Sequence, residues 1–318
     1  MINISRFSNL QYTPVFKGHS GFTDIEVDGK KYTVNNYTGF MRDFPTLKFT
    51  KEYILKNFPN GTNIAEFGCS VGHKTYSLLM LLDKANQNKK FKITGYDFPE
   101  VIKKANKKEY TPEIYSRYEQ VLFPDYKEQN IYDYTDVKKE EAEEIQKAFK
   151  KYFQIKTSFS NIYQPIESKC KDLIKFEAGD IRNINKILKP ENTGVIIFQN
   201  ALYHILSGSL SYDTKKAINM REISKLFMDI SKVLPQNGIF VLGNLPADHL
   251  YDINDEKDTR LHYQNGTRIK VFDTSFVHEE LKKAGFIPIF YEKSPDKSTY
   301  GRNGAVYLPS VWKKIIES

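Results

Sequence analysis

The stretch EFGCSVGHKTYSLLMLL, Glu66 to Leu82, decides how the rest of the chain is read. It closes an apolar run, turns through Gly68, the small pair Cys69-Ser70 and Gly72, and becomes an amphipathic helix almost at once. In an open parallel sheet such a strand-turn-helix lies at the carboxyl edge, where ligands bind. Glycines there let a ligand come close to the main chain, and the turn amides are expected to face outward. A dinucleotide fingerprint needs a third glycine and a phosphate loop needs Gly-Lys-Ser/Thr, and neither spacing is present.

Working outward, FKITGYDF reads as a second strand, and PEVIKKANKK as a helix opened by Pro99. The pattern resumes at DLIKFEAGDI and TGVIIFQNALYHI, then at the helix REISKLFMDISKVL and at GIFVLGN. Strand and helix in alternation imply an α/β fold with a mostly parallel sheet and helices on both faces. Residues 107 to 172 break the rhythm with a charged, tyrosine-rich segment containing KKEEAEEIQKAFKKYF, and read as an inserted helical cover. The expected division is an N-terminal hairpin and helix over residues 1–60 covering the site, and one large domain over 61–318. The hairpin is expected to turn at Asp28-Gly29, and Thr50 is expected to cap the helix that follows. Near the end, FVHEELKKAGFIPIFYEKS gives a helix stopped at Gly285 and a strand, and GAVYLPSVWKKII a last strand and short helix.

The 318 residues are 40% hydrophobic, enough for one large core, and the net charge of +8 is scattered among 39 acidic residues. That balance raises the case for a polyanionic partner only slightly. Nucleic acid is possible but not favoured. With Cys69 and Cys170 the only cysteines, there is no disulfide framework or metal cluster, and a reducing cytoplasm is expected. His19, His249, His262 and His278 are dispersed without metal-ligand spacing, so no metal is expected. No stretch approaches the eighteen or so apolar residues that a bilayer span requires.

Successive strand ends carry polar residues. Asp97 stands where a carboxylate accepts both hydroxyls of a ribose, Asp180 where it meets an adenine amino group, and Asn200 where its amide faces a ligand. Each also has a plain structural role open to it, as a helix cap or a turn residue.

GCSVGHKTYSLLMLL resembles the Gly-Cys-Ser-Thr-Gly-Glu-Glu-Pro-Tyr-Ser motif of the chemotaxis-receptor (CheR-type) methyltransferases, which use S-adenosylmethionine (SAM) to methylate receptor glutamates. NYTGFMR, Asn36 to Arg42, is similar to that family's Asn-x-Thr-x-Phe-Phe-Arg, and IIFQNALYHI to its Ile-Phe-Cys-Arg-Asn-Val-Leu-Ile-Tyr-Phe. The resemblance spans roughly residues 33 to 245 and implies a Rossmann-like class I SAM-dependent methyltransferase. It places Asn36, Thr38 and Arg42 over the methionine end of SAM and the transfer site. Gly68, Ser70 and Gly72 border the cofactor, Asp97 holds the ribose, Asp180-Ile181 the adenine, and Asn200 the floor.

The departures concern the acceptor. His73-Lys74 stands where the family has Glu-Glu. A lysine ammonium about 4 Å from that of SAM costs roughly 4 kcal/mol at an effective dielectric near 20, so Lys74 is expected to point away. A neutral His73 stays compatible with the cofactor, and Glu66 is expected to supply the missing negative charge. Gln199 replaces the family's arginine, and His204, beside Tyr203, replaces its tyrosine. Methyl transfer is an in-line displacement needing reacting atoms within about 3 to 3.5 Å. An acceptor that must lose a proton has His204 as a candidate base, and Arg42 is placed to steer an anionic one. The acceptor is a protein carboxylate or a small molecule. The rival readings are a SAM-binding sensor without catalysis and a nucleic-acid methyltransferase.

Overall fold

The computed structural model describes residues 22–27, 30–35, 38–86, 88, 90–110, 122, 137–157, 162–199, 201–202, 220–243, 259–272, 275–293 and 306–315. The strands are β1 (Phe22–Val27), β2 (Lys30–Asn35), β3 (Thr62–Phe67), β4 (Phe91–Asp97), β5 (Phe153–Thr157), β6 (Ile162–Pro165), β7 (Ile174–Ala178), β8 (Thr193–Ile197), β9 (Ile239–Val241), β10 (Thr259–Gln264), β11 (Thr267–Phe272), β12 (Phe286–Lys293) and β13 (Val306–Lys314). The helices are α1 (Phe44–Asn57), α2 (His73–Leu82), α3 (Pro99–Ala105), α4 (Lys139–Tyr152), α5 (Glu167–Cys170), α6 (Ile184–Ile187), α7 (Met220–Val233) and α8 (Phe276–Lys283).

A nine-stranded sheet organises the molecule. From one edge its order is β7-β4-β3-β8-β9-β13, with β12 paired on β13 and the β10–β11 hairpin joined through β11. Strands β7, β4, β3, β8 and β9 run parallel, whereas β13 runs antiparallel to both β9 and β12. From β3 the chain winds outward to β4 and β7, then returns to lay β8 on the other flank of β3. In open sheets of this kind ligands bind where the strand order reverses, which here is at the carboxyl ends of β3 and β8, next to the Gly68 turn.

Period-two alternation along the parallel strands builds two core layers. Ile64, Ile93, Val195, Ile197 and Val241 join the layer containing α1, α2 and α4 residues. Ala65, Phe67, Ile196, Phe198 and Phe240 join the layer beneath α7 and α8. α7 contributes Ile223, Leu226, Phe227, Ile230 and Val233, a spacing of three and four that keeps one helical stripe against the sheet. Each such side chain, fully buried, contributes about 1.5–3 kcal/mol.

Most expected elements form as read, including the β1–β2 hairpin, whose expected turn at Asp28-Gly29 lies outside the described residues, and α8 ending at Gly285 with φ +85°. Ile25 and Val34 of that hairpin pack on Val101 and Phe98, so it rests on α3, just past the end of β4. Thr50 is not a cap. α1 begins at Phe44, and the Thr50 hydroxyl donates to the Thr46 carbonyl (2.7 Å) from inside the helix. Pro45 in the first turn starts the helix earlier than the Thr50 cap signal implied. The expected last helix is also corrected: VWKK stays extended because β13 is held between β9 and β12 through Lys313. Within residues 107–172, α4 buries Ala142, Ile145, Ala148, Phe149 and Tyr152, and β5 and β6 pair as a hairpin. No helix among the described residues is long and apolar enough to cross a membrane.

Candidate functional site

The β3–α2 turn is tightly built. Gly68, Ser70 and Gly72 all have positive φ, at +68°, +54° and +95°. A Cβ on Gly72 would lie 2.4 Å from Phe176 Cζ, so glycine is sterically required there. Gly68 is exposed, and the nearest neighbours of a Cβ there among the described residues would be Ala201 and Phe198, at 3.3 and 3.8 Å. The expectation that these amides face a ligand is corrected. Gly68 N–H and Cys69 N–H both donate to the Tyr96 carbonyl (2.8 and 3.2 Å), and Gly72 N–H donates to the Cys69 carbonyl (3.0 Å). Pairing the turn with the end of β4 satisfies those donors internally.

Asp97 ties the second strand to this turn. Its Oδ2 accepts from Ser70 N–H and its Oδ1 from Phe98 N–H, each at 2.8 Å. Gly179 N–H donates to the Asp97 carbonyl (3.0 Å), which brings the end of β7 alongside. Each carboxylate oxygen keeps a lone pair beyond these bonds. Burial pushes the Asp97 carboxyl up to about 6, against the pull of its two backbone donors and with a push from Asp180. A carboxylate so held is shaped to accept hydroxyl donors, which favour its charged form.

Glu66, one strand residue before Phe67, is buried and takes a 2.6 Å hydrogen bond from the Thr75 hydroxyl. Burial pushes its carboxyl up to about 7, Lys74 and Thr75 pull it down, and Asp97 pushes it up. Lys74 is itself buried and turns toward α1, where its ammonium lies 3.4 Å from Asp43 Oδ2. Beside this pair, Glu292 accepts from the Thr46 hydroxyl (2.5 Å), and the same hydroxyl meets Ser310 Oγ at 3.1 Å. Burial and Asp43 together push the Glu292 carboxyl up. The lysine at the family's glutamate position therefore serves a buried network between α1, α2 and β12.

The segment before α1 is pinned over the turn. Phe40 meets the rings of His73 (4.6 Å), Tyr110 (5.5 Å), Phe149 (5.8 Å) and Phe153 (5.6 Å). Met41 N–H donates to Ser77 Oγ, which donates to the His73 carbonyl, each at 2.8 Å. Met41 and Asp43 both adopt left-handed backbone, φ +56° and +57°, on either side of half-buried Arg42. Non-glycine residues at such angles cost on the order of 1 kcal/mol or more each, and they persist where surrounding contacts impose them. Tyr110 donates to the Val71 carbonyl (2.9 Å), so the chain just beyond α3 also touches the turn.

Gly68, Ser70 and Gly72 therefore share one turn, flanked by Glu66 in β3, His73 at the start of α2 and Asp97 at the end of β4, with Thr38 and Arg42 on the segment before α1. His73 is buried edge-on between Phe40 and Tyr110. Asp180, one strand away, caps a short turn by accepting from Arg182 N–H (2.9 Å), and its other oxygen takes Arg182 Nε (2.8 Å). Ile181 is buried in the core layer containing Tyr96 and Phe67. Asn36, Asn200, Tyr203 and His204 lie outside the described residues. Sequence reasoning passed over Gln199 as a ligand group, although it is buried at the end of β8 against Gly243, and it passed over the Asp43–Lys74 pair. The alternation of Val195, Ile197 and residue 199 on one sheet face was the available signal for Gln199. No group of three or more histidine, cysteine, aspartate or glutamate residues is placed to hold a metal among the described residues.

Residues 36–152 match the family model described as CheR methyltransferase, SAM binding domain. Among solved structures the chain is similar to the glycopeptide N-methyltransferase MtfA, at 8% identity over 87% of this chain and 99% of that one, with a TM-score of 0.38. It is also similar to a SAM-dependent methyltransferase from Methanosarcina mazei, at 13% identity over 81% and 94%, with a TM-score of 0.36. At such scores the fold rests on the strand order itself. No curated protein matches the chain. The β7-β4-β3-β8-β9-β13-β12 order with antiparallel β13 is the class I methyltransferase arrangement, and its glycine turn and Asp97 fall inside the matched segment. Over residues 36–152 this chain is similar to the SAM-binding domain of the CheR methyltransferases, and S-adenosylmethionine is the cofactor that this match supports.

Proposed function

We propose that the chain is an enzyme that transfers the methyl group of SAM to an acceptor held over the ends of β8 and β9. The observation that carries this reading is the coupling of Asp97 to the Ser70 amide at the switch point of the sheet, beside the exposed backbone of Gly68. When bound, SAM supplies a methyl group on a positively charged sulfur, ready for in-line displacement. Asp97 binds the ribose hydroxyls, and the bare Cα of Gly68 lets the methionine end lie against the backbone. Glu66 contributes negative charge toward the ammonium, while Lys74 is held away by Asp43. Asp180 and Ile181 border the adenine. Asn36, Thr38, Ser70, Gly72, His73 and Asn200 complete the cofactor's surroundings.

Arg42, presented between two left-handed residues, orients the acceptor. His204, with Tyr203 beside it, takes the proton from an acceptor that must lose one, while a carboxylate acceptor needs no base. Positioning and exclusion of water supply most of the acceleration in such a reaction. The acceptor is a protein carboxylate or a small molecule, in a cytoplasmic setting. Incubating the purified chain and methyl-labelled SAM with cell extract, then separating macromolecules from small molecules, tests this. Label in one fraction, lost in Arg42→Ala, is the expected result. SAM binding without any labelled product would make the chain a sensor and refute the enzymatic reading.

A further inference from the structure

Gln199 follows β8 and is 94% buried by its relative exposure of 6%, yet neither its Oε1 nor its Nε2 has a hydrogen-bond partner among the described residues. Buried polar groups are nearly always satisfied, so an amide with both ends open is built for a partner that arrives later. Its direction is fixed by a neighbour. A Cβ on Gly243, just past β9 and with φ +74°, would lie 2.9 Å from Gln199 Cγ and 3.2 Å from Nε2, so the missing side chain of Gly243 makes the room the amide occupies. The amide thus leans toward β9, away from the Gly68 turn, whose nearest neighbours across β8 are Ala201 and Phe198.

Strand order serves as a ruler. Asp180 follows β7, Asp97 ends β4 and Gly68 follows β3, so the cofactor groups follow β7, β4 and β3 in turn. β9 lies two strands beyond β3, about 10 Å further at the usual strand spacing. Resting on the proposed function, we infer that Gln199 is a specificity-determining residue on the acceptor side, and that it selects an acceptor bearing a neutral amide group next to the atom that is methylated.

The chemistry follows from the two open atoms. Nε2 needs an acceptor and Oε1 needs a donor, side by side in one plane. A carboxylate offers only acceptors and would face Oε1 lone pair to lone pair. An ammonium offers only donors. A carboxamide or peptide amide offers one of each at matching spacing and closes a two-bond pair. The buried Lys74 ammonium offers no cation for a carboxylate here, since it is engaged with Asp43.

The test uses the full chain saturated with S-adenosylhomocysteine (SAH) and labelled with nitrogen-15 at glutamine side chains, the Gln199 signal being identified by its loss in Gln199→Leu and, independently, Gln199→Met. Propionamide, propionate and propylammonium, which share one stem, are titrated in turn. The expected result is a saturating shift of the Gln199 amide by propionamide, with at least tenfold weaker response to the other two. An equal or stronger response to propionate, or none to propionamide, overturns the inference. So does a tenfold loss of SAH affinity in either variant, which would give the amide to the cofactor. Failure of SAH to bind the unaltered chain is read separately, in the SAH titration, and would take down the proposed function along with this inference.

Discussion

Replacing Glu66 with glutamine should change how stability depends on pH. Glu66 is 3% exposed, and burial raises its carboxyl from an ordinary 4.5 to about 7. The folded chain therefore holds the proton more tightly than the unfolded chain does. Its contribution to stability is fully present below pH 4.5 and declines as pH rises to about 7, where the buried group must ionise. A rise of 7 − 4.5 = 2.5 units, at about 1.36 kcal/mol each, gives a loss of about 3 kcal/mol. Glutamine keeps the shape and still accepts from Thr75 but cannot ionise. Urea unfolding of both proteins from pH 4 to pH 8 should show Glu66→Gln gaining roughly 3 kcal/mol on the unaltered chain across that range. Asp97, raised to about 6 by burial, titrates in both proteins and largely cancels in the difference. A stability gap that does not move with pH would refute the reasoning, because it would mean that Glu66 is solvated or already paired when charged.

Gly72→Ala combines a left-handed backbone with a 2.4 Å approach to Phe176 and should cost about 2–4 kcal/mol in urea unfolding. Gly68→Ala meets nothing closer than 3.3 Å among the described residues and should cost only about 1 kcal/mol, yet weaken SAM binding by calorimetry, because its methyl intrudes on the exposed face of the turn. Lys74→Glu, which restores the family's residue, should destabilise the chain by about 3–5 kcal/mol at neutral pH by setting a third carboxylate beside Asp43 and Glu292. If instead its thermal midpoint is unchanged, the buried network is not what Lys74 is for.

The parallel sheet was legible because hydrophobic runs, turn glycines and helix stripes repeat in register with the chain. Asp97 was legible for the same reason, since a polar residue ending an apolar strand has few places to go. The turn amides were misread because sequence shows that glycines are present but not which carbonyl their neighbours face, and the Tyr96 carbonyl lies on another strand. Thr50 looked like a cap because its hydroxyl suits one, but Pro45 and the buried Phe44 and Leu47 begin the helix earlier. The Lys74–Asp43 pair and the Glu292–Thr46 bond join residues 31 and 246 positions apart, which no local pattern encodes. In the β10–β11 hairpin only β11 buries an alternating pair, Ile269 and Val271, while Leu261 and Tyr263 of β10 are exposed, so the pattern is too short to announce it.

Calorimetric titration of SAM into the purified chain, repeated with Asp97→Asn, bears most directly on a cofactor held across the ends of β4 and β3. Saturable binding at one site is the predicted result, weakened at least tenfold by the substitution while the far-ultraviolet spectrum stays the same, since the amide accepts from ribose hydroxyls less strongly than a charged carboxylate. Titration without heat at any temperature, or equal affinity for both proteins, would contradict the account.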